Sequence, residues 1–213
     1  MKKAGDYYLP SEDSYFVPLL SQGGGFQIDH LEAALEYVED WRCAVDGGAH
    51  VGTWTSRLAQ TFDEVHAFEP AADTFECLQR NLAGHTHHKA AVMLHKFALG
   101  QVDGLCSVVE DVTRPGNTGA RFIQMGRGEA PVMTLDSLSL SAVGFVKLDL
   151  EGYEYFALLG AVQTLLKCRP VVLVEEKGFG ARYDVPAFAA SEFLQRLGAR
   201  RVRQIGKDHV FVW

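Results

Sequence analysis

The sequence predicts an α/β fold on a mostly parallel sheet, and three observations carry that reading. From residue 43 onward, short apolar strands alternate with helical stretches, the pattern of successive βαβ units. A glycine-rich turn at 46–52 joins the first of these strands to a helix. The pair Phe145-Val146 and the run 171–174 are apolar throughout, as expected of strands covered on both faces.

The elements follow in order. Residues 1–25, with Pro10, Pro18 and the run Gly23-Gly24-Gly25, read as an irregular arm or lid. Leu31, Leu35 and Val38 recur at helical spacing, so 29–40 reads as a helix that Asp29 can cap. A strand at 43–45 enters the glycine-rich turn, and a helix runs to about residue 60. A strand at Glu64–Phe68, a helix over 72–82 and a third strand near 93–98 follow. Residues 104–134 hold strand-like fragments at 105–109, 121–124 and 132–134, with a turn at Arg114-Pro115-Gly116-Asn117. They read as a β-rich insertion above the sheet. A fourth strand at 145–150, a helix at 155–167 and a fifth strand at 171–174 complete the parallel part. A helix near 186–197 precedes strands at 201–205 and 209–213, whose short Gly206-Lys207-Asp208 link predicts an antiparallel hairpin. The whole chain, 1–213, therefore reads as one domain: an arm and helix at 1–40, an insertion at 104–134 and a seven-stranded sheet closed by that hairpin.

Composition narrows the function classes. With 213 residues, 47% hydrophobic and 22% charged, the chain reads as an ordinary globular protein. A net charge of −7 argues against wrapping a nucleic-acid backbone, so no nucleic-acid partner is expected. Arg200, Arg201 and Arg203 form the dense basic cluster, read as a solvated edge. Cys43, Cys77, Cys106 and Cys168 make no CxxC pair, so buried free thiols in a reducing compartment are expected rather than a zinc site. No apolar signal core follows the N-terminus, and no run approaches the roughly 20 apolar residues that span a bilayer. A cytoplasmic protein without membrane contact is the expectation.

The chemistry concentrates in three places. In a doubly wound sheet the turn after the first strand sits at the carboxyl edge, where ligands bind. Here it reads Asp46-Gly47-Gly48-Ala49-His50-Val51-Gly52, and its glycines allow close backbone approach to a ligand. The next strand ends in Glu69-Pro70, and an acidic group there can accept hydrogen bonds from both ribose hydroxyls of an adenosine. A dinucleotide fingerprint wants a middle glycine where Ala49 stands. Asp46 at the head of the loop would repel a pyrophosphate but suits a cationic amino group. S-adenosylmethionine, with an ammonium, a sulfonium and no phosphate, fits that charge pattern better than NAD. The third place is Asp149-Leu150-Glu151-Gly152-Tyr153-Glu154, where an apolar strand delivers two carboxylates. A helix N-terminus explains Glu154 well and Asp149 poorly.

These residues resemble the FkbM-type methyltransferases over roughly 43–176. The family's Asp-x-Gly-Ala-Asn-x-Gly resembles residues 46–52, and its phrase around the ribose acid resembles Ala67-Phe68-Glu69-Pro70. Its Thr-Leu-Asp-x-Leu resembles Thr134-Leu135-Asp136-Ser137-Leu138. Its Ile-Lys-Ile-Asp-x-Glu-Gly resembles Val146-Lys147-Leu148-Asp149-Leu150-Glu151-Gly152, and its Arg-Pro, apolar strand and Glu resemble 169–175. His50 stands where the family has Asn, and Glu176-Lys177 follow Glu175 where the family often has a His. The resemblance implies a Rossmann-like class I methyltransferase fold, with transfer from S-adenosylmethionine to a hydroxyl of a small molecule or sugar.

The expected cofactor-binding set is therefore Asp46, Gly47, Gly48, Ala49, His50, Gly52, Glu69 and Pro70. Phe97 and Ala98 are expected to border the adenine, and Asp149 and Glu151 to serve catalysis between the methionine end and the acceptor. A metal held by Asp149 and Glu175 is not expected, because no His pattern accompanies them. Two other functions are compatible with a glycine-rich loop after a strand: a nucleotide-dependent oxidoreductase and a non-catalytic adenosine-binding module.

Overall fold

The computed structural model describes residues 1–23, 25–84 and 89–213; Gly24 of the predicted glycine run lies outside them. The arm is more ordered than its composition suggests. It forms a hairpin of β1 (Lys2–Ala4) and β2 (Tyr7–Leu9) followed by α1 (Phe16–Ser21). Next come α2 (Ile28–Leu35), β3 (Cys43–Gly47), α3 (Thr53–Leu58), β4 (Glu64–Phe68), α4 (Ala72–Gly84) and β5 (Ala91–His95). β6 (Ala98–Leu99) follows, and the insertion contributes β7 (Gly104–Val109), β8 (Phe122–Met125) and β9 (Ala130–Met133). The chain then returns through β10 (Val143–Leu148), α5 (Glu154–Leu159), α6 (Val162–Cys168) and β11 (Val171–Glu175). It closes with α7 (Ala189–Arg196), β12 (Arg200–Ile205) and β13 (Asp208–Val212).

The main sheet has seven strands in the order β12-β13-β11-β10-β3-β4-β5. β11, β10, β3, β4 and β5 pair in parallel, and β13 runs antiparallel to both β11 and β12. The predicted closing hairpin is thus present, with β13 inserted between β12 and the parallel strands. Every residue of β3, β10 and β11 is buried, which explains why they are apolar apart from Asp46, Lys147 and Glu175. One face packs Val45, Val146, Val172 and Phe211 with Leu158, Leu165 and Leu194. The other packs Ala44, Phe145, Leu173 and Val210 with Leu31 and Leu58. Strand order reverses between β3 and β10, whose last residues Gly47 and Leu148 are register partners. That reversal is the switch point at which such sheets bind ligands.

Several features depart from the sequence reading, among them the helix read over 29–40, which ends at Leu35. The predicted strand at 93–98 divides, with β5 in the main sheet and β6 in a second sheet ordered β6-β9-β7-β8. The predicted helix at 155–167 breaks into α5 and α6 at Gly160. A side chain there would overlap the carbonyl oxygen of Gly100, and Asp136 N–H donates to the Gly160 carbonyl. The Asp136 carboxylate accepts from the N–H groups of Gln163 and Thr164 and from the Thr164 hydroxyl, capping α6. The arm, read as irregular, packs Leu9, Phe16 and Leu20 against Val51 and Cys77. Tyr8 and Asn81 exchange two hydrogen bonds that tie β2 to α4.

The four cysteines are free. Cys43, Glu64 and His66 nonetheless converge on β3 and β4, which linear spacing does not reveal. Among the described residues no helix is long and apolar enough to cross a membrane.

Candidate functional site

The loop after β3 is held by main-chain bonds. Gly48 and Ala49 N–H both donate to the Phe68 carbonyl at 3.0 and 2.9 Å, and Asp149 N–H donates to the Gly47 carbonyl at 3.2 Å. Gly48 has φ +74°, and a Cβ there would overlap the Asp149 carbonyl oxygen. Only glycine lets the loop lie this close to the end of β10. Beside it opens a cavity of about 460 Å³.

Of the expected cofactor residues, Gly48, Ala49, His50, Glu69, Pro70, Phe97 and Ala98 line this cavity, as do Asp149 and Glu151. Asp46, Gly47 and Gly52 do not. Asp46 is fully buried behind the loop; Thr55 Oγ1 donates to it at 2.6 Å and Lys147 Nζ lies 3.0 Å away. Its charge is spent on that lysine, whose Nζ also donates to the Gly48 carbonyl at 2.7 Å. Asp46, expected to help hold a cationic amino group, does not line the cavity; it supports the loop through Lys147. Gly52 is backed by Leu78 and Leu82 of α4, and Gly47 by Leu148 and Leu99, so both serve packing.

Glu69 is 8% exposed at the end of β4. One carboxylate oxygen accepts from His50 N–H at 3.0 Å and the other from Ala71 N–H at 2.9 Å. Burial pushes its pKa up to about 7, against the lowering effect of those two N–H groups. An ionised carboxylate has about four acceptor positions, so each oxygen keeps capacity for a further donor.

At the end of β10, Asp149 Oδ1 is buried without a hydrogen-bond partner among the described residues. Burial works against its charge, but a hydrogen bond with Glu175 and the nearby Lys177 and Lys147 hold its pKa below the usual carboxylate range. Glu175 is pushed up by burial and by Asp149. Glu151 is 4% exposed and committed to ion pairs: Arg114 at 2.6 Å and Lys177 at 3.0 Å. Asp111 in turn pairs with Arg114 and Arg182 of neighbouring segments. Glu151 thus tethers the insertion to β10, and Asp149 is the carboxylate with an unused oxygen.

The opposite wall comes from the arm and the insertion. Thr118 Oγ1 donates to Asp13 at 2.5 Å and accepts from His50 Nε2 at 2.8 Å; Thr118 N–H and Phe16 N–H also donate to Asp13. Asp13 is fully buried. Burial lowers the His50 pKa to about 4, so the ring is neutral, and Phe16 lies over it at 4.6 Å. Ser14 and Tyr15 N–H donate to the Gly116 carbonyl, closing the seam. Phe16, Phe26, Trp54 and Phe122 give this side an aromatic lining.

Sequence reasoning passes over Lys147, Lys177, Asp13 and Thr118. Lys147 carries a readable signal, because a lysine inside an otherwise apolar strand must find a buried partner. Lys177 follows Glu175 by two, the spacing that puts both on one side of an extended chain. Asp13 and Thr118 give no local signal.

A family described as the methyltransferase FkbM domain matches residues 46–201. The chain is 32% identical over 76 residues to Methyltransferase 1 of Beauveria bassiana (strain ARSEF 2860), a stretch covering 35% of this chain and 30% of that protein. Among solved structures, methyltransferase FkbM from Methylobacillus flagellatus KT aligns with a TM-score of 0.54 at 17% identity, covering 98% of this chain. The chain spans 49% of that protein's length. A Streptococcus mutans structure described as a methyltransferase in complex with SAH aligns with a TM-score of 0.53 at 12% identity, covering 88% of this chain and 97% of that one. Precorrin 8w decarboxylase of Methanobacterium thermoautotrophicum aligns with a TM-score of 0.52 at 14% identity, covering 100% and 94%. At these identities the structural likenesses show a shared fold.

Proposed function

This chain belongs to the FkbM methyltransferase family, and from that premise we propose that it transfers a methyl group from S-adenosylmethionine to a hydroxyl oxygen of a small molecule or glycan. The observation that carries the reading is one cavity bounded by two carboxylates with spare acceptor capacity, Glu69 after β4 and Asp149 after β10, on either side of the Gly48 turn. Glu69 suits the two ribose hydroxyls of an adenosine, and the unpartnered Asp149 oxygen suits an ammonium or an acceptor hydroxyl. The negative charge of Asp149 beside the loop disfavours a pyrophosphate, which counts against the oxidoreductase alternative.

The cofactor supplies an electrophilic methyl on a sulfonium. Methyl transfer to a hydroxyl would require the acceptor to give up its proton. Asp149, whose Oδ1 is buried without a hydrogen-bond partner among the described residues, is the group placed to orient that hydroxyl and receive its proton. Phe16, Phe26, Trp54 and Phe122 give the cavity apolar surface, and the ends of β3, β4 and β10 hold its polar groups in place.

The test is a melting and calorimetric comparison of S-adenosylhomocysteine with NAD. S-adenosylhomocysteine at about 100 times its Kd is expected to stabilise the protein by roughly 2.7 kcal/mol. Stabilisation by NAD alone overturns the reading. Product mass analysis with panels of hydroxylated metabolites and glycans then identifies the acceptor; binding without turnover would leave an adenosine-binding module.

A further inference from the structure

The carboxylates of Asp149, Glu151 and Glu175 each bring an oxygen to one point, all within 4.8 Å of one another. Three hard oxygen donors so placed are the ligand set of a divalent cation such as Mg²⁺ or Mn²⁺. Left bare, they would repel one another in a mostly buried position. The cation already present is the Lys177 ammonium. Its Nζ lies 2.5 Å from Glu175, 3.0 Å from Glu151 and 3.8 Å from Asp149.

The local chain explains how it gets there. Glu175 ends β11, and the chain stays extended enough that Glu175 and Lys177 share a side. Glu176 between them turns away to α7, where its carboxylate accepts from Ala190 N–H and the Ser191 hydroxyl. Burial works against the charge on Lys177, yet Asp149, Glu175 and Glu151 outweigh it and hold the ammonium far above its ordinary pKa.

We propose that Lys177 is a built-in substitute for a divalent cation: its ammonium fills the seat made by Asp149, Glu151 and Glu175, holds the three carboxylates in register, and closes that seat to metal. Lys177 is thus a positioning residue. It holds Glu175 by one contact and Glu151 by another, and so sets the height of the Asp149–Glu175 pair against the cavity. A compact ammonium on a flexible stem suits the task, since it donates in three directions from one point. The catalytic consequence rests on the methyl-transfer reading; the occupancy of the seat does not.

The decisive experiment is a Mn²⁺ titration read by electron paramagnetic resonance on the full chain and on Lys177→Ala. The unaltered protein is expected to leave added Mn²⁺ free. Lys177→Ala is expected to bind it at least about tenfold more tightly, because removing the ammonium exposes three carboxylates to a cation they fit. Adding Glu175→Gln to Lys177→Ala is expected to abolish the gain. Lys177→Gln, which keeps the stem and loses the charge, repeats the measurement should the alanine variant not fold. Tight Mn²⁺ binding by the unaltered chain, or folded Lys177→Ala and Lys177→Gln proteins with no gain in affinity, overturns the proposal. Methyl transfer adds a second readout, with the unaltered chain expected to be indifferent to EDTA and Lys177→Ala to recover with Mn²⁺. S-adenosylhomocysteine binding is measured on the same samples, so loss of the methyl-transfer reading is seen separately from loss of the cation seat.

Discussion

The floor of the cavity rests on main-chain hydrogen bonds between strand ends, whereas its roof joins distant segments through a buried side-chain cluster and one main-chain seam at Gly116. On the floor, Gly48 and Ala49 bond to Phe68, Asp149 bonds to Gly47, and Glu69 N–H bonds to His95, all within one sheet. In the roof, Asp13, Thr118 and His50 come from three segments, 105 and 68 residues apart along the chain, and meet through two side-chain contacts. A floor of this kind is fixed once the sheet forms. The roof depends on neutral His50 and on a buried Asp13 carboxylate whose accepted hydrogen bonds must offset its desolvation. On the methyl-transfer reading, the difference predicts that cofactor binding and acceptor choice vary independently, with the floor costlier to change than the roof.

The sharpest way to break that contrast is Gly48→Ala. The new methyl combines left-handed strain with overlap of the Asp149 carbonyl, so a loss on the order of 2–5 kcal/mol is expected. Thermal melting checks it, and an unchanged melting temperature would show that the floor yields as easily as the roof.

Glu69→Gln comes next. It keeps the shape and one good acceptor, so the fold is expected to survive, while affinity for S-adenosylhomocysteine falls by about 1.5–3 kcal/mol in calorimetry. Its pH dependence has a definite sign. The folded pKa, about 7, lies above the ordinary 4.5, so folding takes up a proton between those values. The ligand-free chain is therefore stabilised by this group most fully below 4.5, and that contribution is lost as pH rises to about 7. Cofactor binding runs the other way, strengthening as pH rises through about 7 while Glu69 ionises; Glu69→Gln should flatten that rise.

The smallest effect is expected in the roof. Asp13→Asn leaves one oxygen to accept where two now serve Phe16 and Thr118, at a cost of about 1–2 kcal/mol. The prediction is faster hydrogen exchange at the Phe16 and Thr118 amides with cofactor affinity held within about twofold. A large fall in cofactor affinity would mean that floor and roof act as one unit.

The same contrast explains what the sequence makes legible. The floor is written locally: the 46–52 turn, Glu69 at a strand end and Asp149 after a buried strand can each be placed from neighbouring residues. Asp46 is legible in position but not in partner, because Lys147 reaches it only across the β3–β10 pairing. The helix at 155–167 reads as continuous because nothing near Gly160 announces the Gly100 carbonyl against it. The arm reads as irregular because β1 and β2 have three residues each, too short for periodicity to register. Asp13 and Thr118 are ordinary polar residues in sequence, and only the fold gives them a common neighbour.

The Gly160 junction has one more consequence. Gly100, directly after β6, packs its carbonyl against Gly160, and Asp136, just past β9, donates to the carbonyl of the same Gly160. Gly100 N–H also donates to the Met133 carbonyl, joining the two ends directly. The intervening segment is thus a cassette whose two leads are soldered to a single post. Swapping it between relatives with joints at 100 and 136 would leave the sheet, the glycine turn and Glu69 untouched while replacing Arg114, Thr118 and Phe122. Such chimeras offer a way to retarget the acceptor while the cofactor floor stays as it is.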